Sequence, residues 1–288
     1  MNGGMRMEKT KYDFIFSLGS SCGASQAVRA AGLQFASYPM DWVGVPDLMS
    51  GVRIVASRFE GWLEAEDLEL LDVRHGPGFN TRIYRNRKTR IVFGHEFSDF
   101  KRFEESYPKV RETYDRRIAR FFARAAAARR VLAVFLEVPV SPRASDEVLS
   151  EARRRLGEAL GGTTVDLLYV CEDPDCAIPK VSRPSAGVTV LAADYRRFDR
   201  GEVTHFVNYD CLTRFLRDNY QVADVRNAGE RDAFRSEAKM VSQLRWGPDK
   251  SAIRRWWNKQ MYKLYRHLER ILQRRDIIHR EGPLRYWE

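Results

Sequence analysis

Histidine and cysteine are scarce in this chain, with five and four among 288 residues. Neither type falls at metal-binding intervals: there is no HExxH, no CxxC and no closely spaced His pair, so zinc and iron–sulfur chemistry is not indicated. A P-loop is also missing. The turn Gly19-Ser20-Ser21-Cys22-Gly23 does not fit GxGxxG, so neither a dinucleotide nor any other cofactor is expected. No apolar run approaches the ~20 residues needed to span a bilayer, and the first eleven residues lack the apolar core of a signal peptide. Cys22, Cys171, Cys176 and Cys211 are scattered. They read as reduced thiols in a cytoplasmic protein that is soluble or lies on a membrane surface.

What is present is globular: 44% hydrophobic, 31% charged and 12% aromatic residues, which is against wholesale disorder. The formal net charge of +10 is local. Nine Lys or Arg against one acid, Glu269, fall within 250–275. That stretch reads as one amphipathic helix over 249–275. Its apolar stripe is Trp257, Met261, Leu264, Tyr265 and Leu268, and Arg255, Lys259, Lys263, Arg266 and Arg270 flank it. Such a helix suits an anionic membrane surface, a packing role on the body, or a homo-oligomer contact. Nucleic acid is not an expected partner, because the charge is confined and no recognition motif appears. The division expected is a body over 11–225 and a basic helical extension over 226–288.

Periodicity organises the body. Leu48, Val52, Val55 and Phe59 recur at helical spacing within 45–59. The sequence predicts strands over 81–84 and 90–93, joined at Arg85-Asn86-Arg87-Lys88, with His95 just beyond. A long helix over 104–128, interrupted early by Pro108, comes next. Then strand and helix alternate: a strand over 131–138, a helix opened by Ser145-Asp146-Glu147 and stopped at Gly161-Gly162, and strands over 165–170 and 188–192. A Pro-rich loop over 173–184 and a helix over 208–219 complete the body. Continuous apolar strands between helices predict an α/β fold with a mainly parallel, helix-covered sheet, Rossmann-like or flavodoxin-like in layout.

One stretch carries chemistry. An apolar strand over 12–18 turns at Gly19-Ser20-Ser21-Cys22-Gly23 into an Ala-rich helix ending at Gly32. Cys22 therefore sits at a helix N-terminus, where the dipole and unpaired N–H groups favour a thiolate and an oxyanion. A buried packing cysteine is the plain alternative. Leu18-Gly19-Ser20-Ser21-Cys22, Ala27 and Ser37-Tyr38-Pro39-Met40-Asp41-Trp42 resemble the opening motif of a bacterial family of papain-like cysteine peptidases. His95-Glu96-Phe97, where the family usually has Asp in place of Glu96, and Tyr114-Asp115-Arg116-Arg117-Ile118 continue the likeness. The resemblance implies a Cys-dependent hydrolase, with a nucleophile on a helix and a His in an antiparallel sheet. That second implication sits uneasily with a parallel α/β layout.

The reaction expected is acyl transfer on an amide, ester or thioester. Cys22 attacks, His95 acts as base and then acid, and Asp41 orients. Ser20, Ser21, Arg116 and Arg117 are the candidates for substrate binding, one of the arginines for an anionic group. The same strand–turn–helix start resembles SGNH-type esterases and acyltransferases. In that reading Ser20 or Ser21 replaces Cys22, and His205 competes with His95. A third possibility is a sheet that binds a sugar or nucleotide, as in a glycan-modifying transferase, with Cys22 only packing. His75, His267 and His279 are not favoured as catalytic groups. The substrate is a small molecule, glycan or peptide.

Overall fold

The computed structural model describes residues 8–20, 22–74, 81–98, 101–137, 143–173, 175–176, 178–193 and 210–223, together with Gly229, Arg231 and Gln260. Ser21 and His205 lie outside the described residues, as do the expected C-terminal helix apart from Gln260 and nearly all of the expected extension.

Four strands form the parallel heart of the molecule: β2 (Phe14–Ser17), β7 (Arg130–Leu136), β8 (Thr164–Glu172) and β10 (Val188–Ala193). They lie side by side in chain order, and β9 (Lys180–Ser185) closes the β10 edge as an antiparallel strand. Pro184 made that segment read as a loop, but an edge strand tolerates a missing N–H. At the other end β1 (Thr10–Tyr12), one residue upstream of β2, pairs in parallel with β11 (Tyr220–Val222). The chain thus builds away from β2 in one direction and returns beside β1 on the other. Neither the Rossmann-like nor the flavodoxin-like layout has this order.

Residue alternation explains why the sheet is covered on both faces. Phe14 and Phe16, Val131, Ala133 and Phe135, and Val165, Leu167 and Tyr169 point into one core; Ile15, Leu132, Val134, Leu168 and Val170 point into the other. Helices α1 (Cys22–Ala30) and α5 (Asp210–Asn219) cover the second face. The first face meets α2 (Leu48–Ala56), α3 (Phe103–Ala127) and α4 (Asp146–Ala159). The four residues Leu48, Val52, Val55 and Phe59 are all buried, as the spacing requires. Asp47 caps α2, Ser145 caps α4, and Gly161 and Gly162 end α4 with positive φ.

A second sheet is inserted between α1 and α3. It is antiparallel and four-stranded, in the order β3 (Val43–Gly44), β6 (Val92–Ser98), β5 (Thr81–Asn86), β4 (Leu68–Arg74). The molecule is therefore mixed α/β. Helix α3 bridges the two sheets: Tyr114 packs edge-on against Trp62 and Phe93, while Phe121 packs against Phe14 and Phe16. It runs straight through Pro108. No helix among the described residues is long and apolar enough to cross a membrane.

Candidate active site

The turn after β2 is tight and strained. Leu18 N–H extends the ladder to the Val134 carbonyl, Gly19 N–H donates to Ser17 Oγ, and both Gly19 and Ser20 adopt positive φ (89° and 72°). A Cβ on Gly19 would lie 2.4 Å from Val45 Cγ2, so glycine is required for space as well as for φ. Ser20 has no such freedom, and a serine held in the left-handed region is strain of the kind found at functional sites. Among the described residues its buried hydroxyl has no hydrogen-bond partner. Cys22, 6% exposed, is the first residue of α1 at the carboxyl edge of the parallel strands.

Cys22, Ser25 and Arg29 share one face of α1, three and four residues apart. That helix packs against a 3₁₀ turn, Pro39–Trp42. Asp41 organises the turn from a fully buried position. Its Oδ2 accepts from Arg29 Nη2 (2.9 Å), Gln34 Nε2 (2.6 Å) and Tyr38 N–H (2.8 Å), whereas Oδ1 has no partner. The Arg29 guanidinium also lies 5.1 Å from the centroid of the Trp42 ring. Asp41 thus holds the loop in shape, and its described partners come from α1 and the loop itself.

His95 comes from the inserted sheet. It lies within β6 rather than beyond a strand, because the hairpin is longer than its apolar residues suggested: Asn86 Oδ1 accepts from Lys88 and Thr89 N–H and so moves the turn to 87–90. Tyr84 pairs with Phe93 and Arg82 with Phe97, so Ile83 alone faces Gly94, His95 and Glu96. This is a β-bulge, a device that re-aims side chains. Thr81 Oγ1 donates to the Gly94 and Phe97 carbonyls across it. Glu96 folds back on the bulge: Oε2 accepts from His95 N–H (3.0 Å) and Oε1 from Tyr114 Oη (2.7 Å). Burial and the Glu96 carboxylate push the Tyr114 phenol well above its ordinary pKa, so it stays a donor. The His95 imidazole stands edge-on to Trp42, ring centroids 6.2 Å apart.

The paired arginines separate. Arg116 faces outward and pairs with Glu112 at 2.6 Å. Arg117 is on the buried stripe of α3, 3% exposed, with its guanidinium 5.2 Å from the Tyr114 ring centroid. Trp42, Ser25 and Arg29 were not singled out by sequence reasoning, although the seven-residue step from Cys22 to Arg29 was a readable signal. Glu137 was missed too. It ends β7 on the same carboxyl edge, accepts from Tyr169 Oη, and burial raises its carboxyl pKa.

Comparison with known proteins places these elements in context. A family model described as "Putative papain-like cysteine peptidase (DUF1796)" matches residues 13–166, which contain β2, α1, the 3₁₀ turn, the whole inserted sheet and α3. The "Uncharacterized protein R408" of Acanthamoeba polyphaga mimivirus is 29% identical, over 56% of this chain and 79% of the relative. No solved structure matches the chain.

Proposed function

The chain belongs to the family described as "Putative papain-like cysteine peptidase", and on that premise we propose a cysteine-dependent hydrolase or acyl transferase acting on an amide, ester or thioester. One observation carries the reading. Cys22 opens a helix and His95 lies in an antiparallel sheet, and both elements converge on the turn Pro39–Trp42. The tension between a papain-like site and an α/β body disappears because different strands supply the two parts.

His95 takes the Cys22 proton, and the thiolate attacks the substrate carbonyl. Backbone N–H groups at the start of α1 hold the resulting oxyanion. The C–N, C–O or C–S bond then breaks, and the imidazolium gives its proton to the leaving group, leaving a thioester on Cys22. Water or another hydroxyl, deprotonated by His95, releases the acyl group and restores the thiol. Asp41 acts at one remove: it fixes the turn that places Trp42 against His95.

Alkylation of Cys22 by iodoacetamide across pH, read by mass spectrometry, tests this. The rate at Cys22 should rise at a pH below the ~8.5 expected of a free thiol, and His95→Ala should restore the ordinary profile. An ordinary profile in the parent protein sinks the thiolate mechanism. A second reading, a serine nucleophile as in SGNH-type enzymes, is favoured by the positive φ and unpartnered hydroxyl of Ser20. It requires Cys22→Ser to retain activity and Ser20→Ala to lose it.

A further inference from the structure

Arg117 is an arginine in a place made for an apolar side chain. The buried stripe of α3 runs Ser106, Val110, Tyr114, Arg117, Phe121, Ala125. Two neighbours on α3 face the bulge and the segment before the turn: Tyr114, on the stripe, donates to Glu96, and Arg120, one turn further on, donates from Nη1 to the Ser37 carbonyl at 2.9 Å. Arg117 therefore sits where α3, the β6 bulge and the segment before Trp42 meet. No carboxylate among the described residues lies within 4.0 Å of it, and its Nε is buried without a partner. Asp41 is already paired with Arg29. Glu96, which meets α3 through Tyr114, has one oxygen on Tyr114 and the other on His95 N–H. A guanidinium this buried, met among the described residues by the Tyr114 ring and by no anion, is costly.

We propose that Arg117 is an anion-binding residue and that the substrate carries a carboxylate which it holds. The inference rests on the acyl-transfer reading above for the word substrate, but not for the anion site. A single planar guanidinium matches a singly charged planar group through paired N–H donors. A phosphate dianion is better matched by two cations than by one. Trp42 Nε1 and Ser25 Oγ, also buried without partners, are further groups around the turn able to meet a polar substrate.

Acetate is the probe, titrated against chloride at constant ionic strength. The melting temperature of the full chain should rise saturably, by about 2–4 °C at tenfold above half-saturation. Arg117→Met should melt higher than the parent without acetate, because the uncompensated cation is gone, and should not respond to it. Arg117→Lys should keep a weaker response. Acetate should also slow iodoacetamide alkylation of Cys22 in the parent and not in Arg117→Met. If Arg117→Met melts lower than the parent and the parent ignores acetate, the residue is structural and the proposal fails. A larger rise with inorganic phosphate overturns the carboxylate assignment. A melting response without protection of Cys22 separates the anion site from the thiol and overturns its role in substrate binding. A Cys22 that never labels defeats the acyl-transfer reading alone, since the melting response still decides the anion site.

Discussion

The four thiols of the chain are all buried, at different places in the fold. Cys171 is fully buried on β8, where burial pushes its thiol up to about 11. Cys211, at the start of α5, is raised by burial as well. A thiol raised in this way stays protonated and inert at neutral pH. Cys22 combines a helix N-terminus with the strained turn before it. At pH 8 the folded protein should therefore take up iodoacetamide at Cys22 and leave Cys171 and Cys211 intact, with Cys171 labelling only as pH approaches 11 or the chain unfolds. Labelling of Cys171 at the Cys22 rate in folded protein contradicts the assignment. The sequence showed the helix N-terminus but not the other half of the contrast, since burial of Cys171 depends on β8 lying between β7 and β10, where Cys171 pairs with Ala192.

At the scale of elements, the parallel half was legible, whereas of the inserted half only the β5–β6 hairpin was. The strands β7, β8 and β10 are largely apolar, interrupted inside by Asp166 and Thr189, because both faces are covered, and helix caps such as Ser145 announce themselves. By contrast β4 reads Leu-Glu-Leu-Leu-Asp-Val-Arg, acidic and without clean alternation, and its register shifts between Leu70 and Asp72. The bulge that carries His95 has no sequence signature beyond Gly94, because a bulge is a relation between two strands. The turn after β2 is where the halves lock together, and it can be tested by packing alone. Gly19→Ala places a methyl 2.4 Å from Val45 Cγ2 and forces alanine to a φ of 89°. The change should cost about 2 kcal/mol or more. Val45→Ala should recover part of that loss in the double variant, measured by urea denaturation. Recovery of the whole loss would mean the backbone is not strained there; recovery of none would mean Val45 is not the obstacle.

Over the whole molecule, the paired strands join residues far apart in the chain. Phe14 lies against Val131, and Thr10 against Tyr220. Pairings this distant make folding slow, because loop closure precedes the contacts that reward it. Refolding from denaturant should therefore take ms to s or longer, and a microsecond phase that restores the Tyr12–Tyr220 contact would contradict the topology. The β1–β11 pair has a consequence for a chain still being made. Helix α1, which bears Cys22, leans on α5, and Arg217 Nη2 donates to the Ala30 carbonyl at its end. At about 5–20 residues per second, Tyr220 emerges roughly 10–40 s after Thr10. Throughout that interval the thiol helix has no partner on its outer side. Under the acyl-transfer reading, the ribosome thus sets the earliest moment at which Cys22 can act, and a growing chain carries that thiol unarmed.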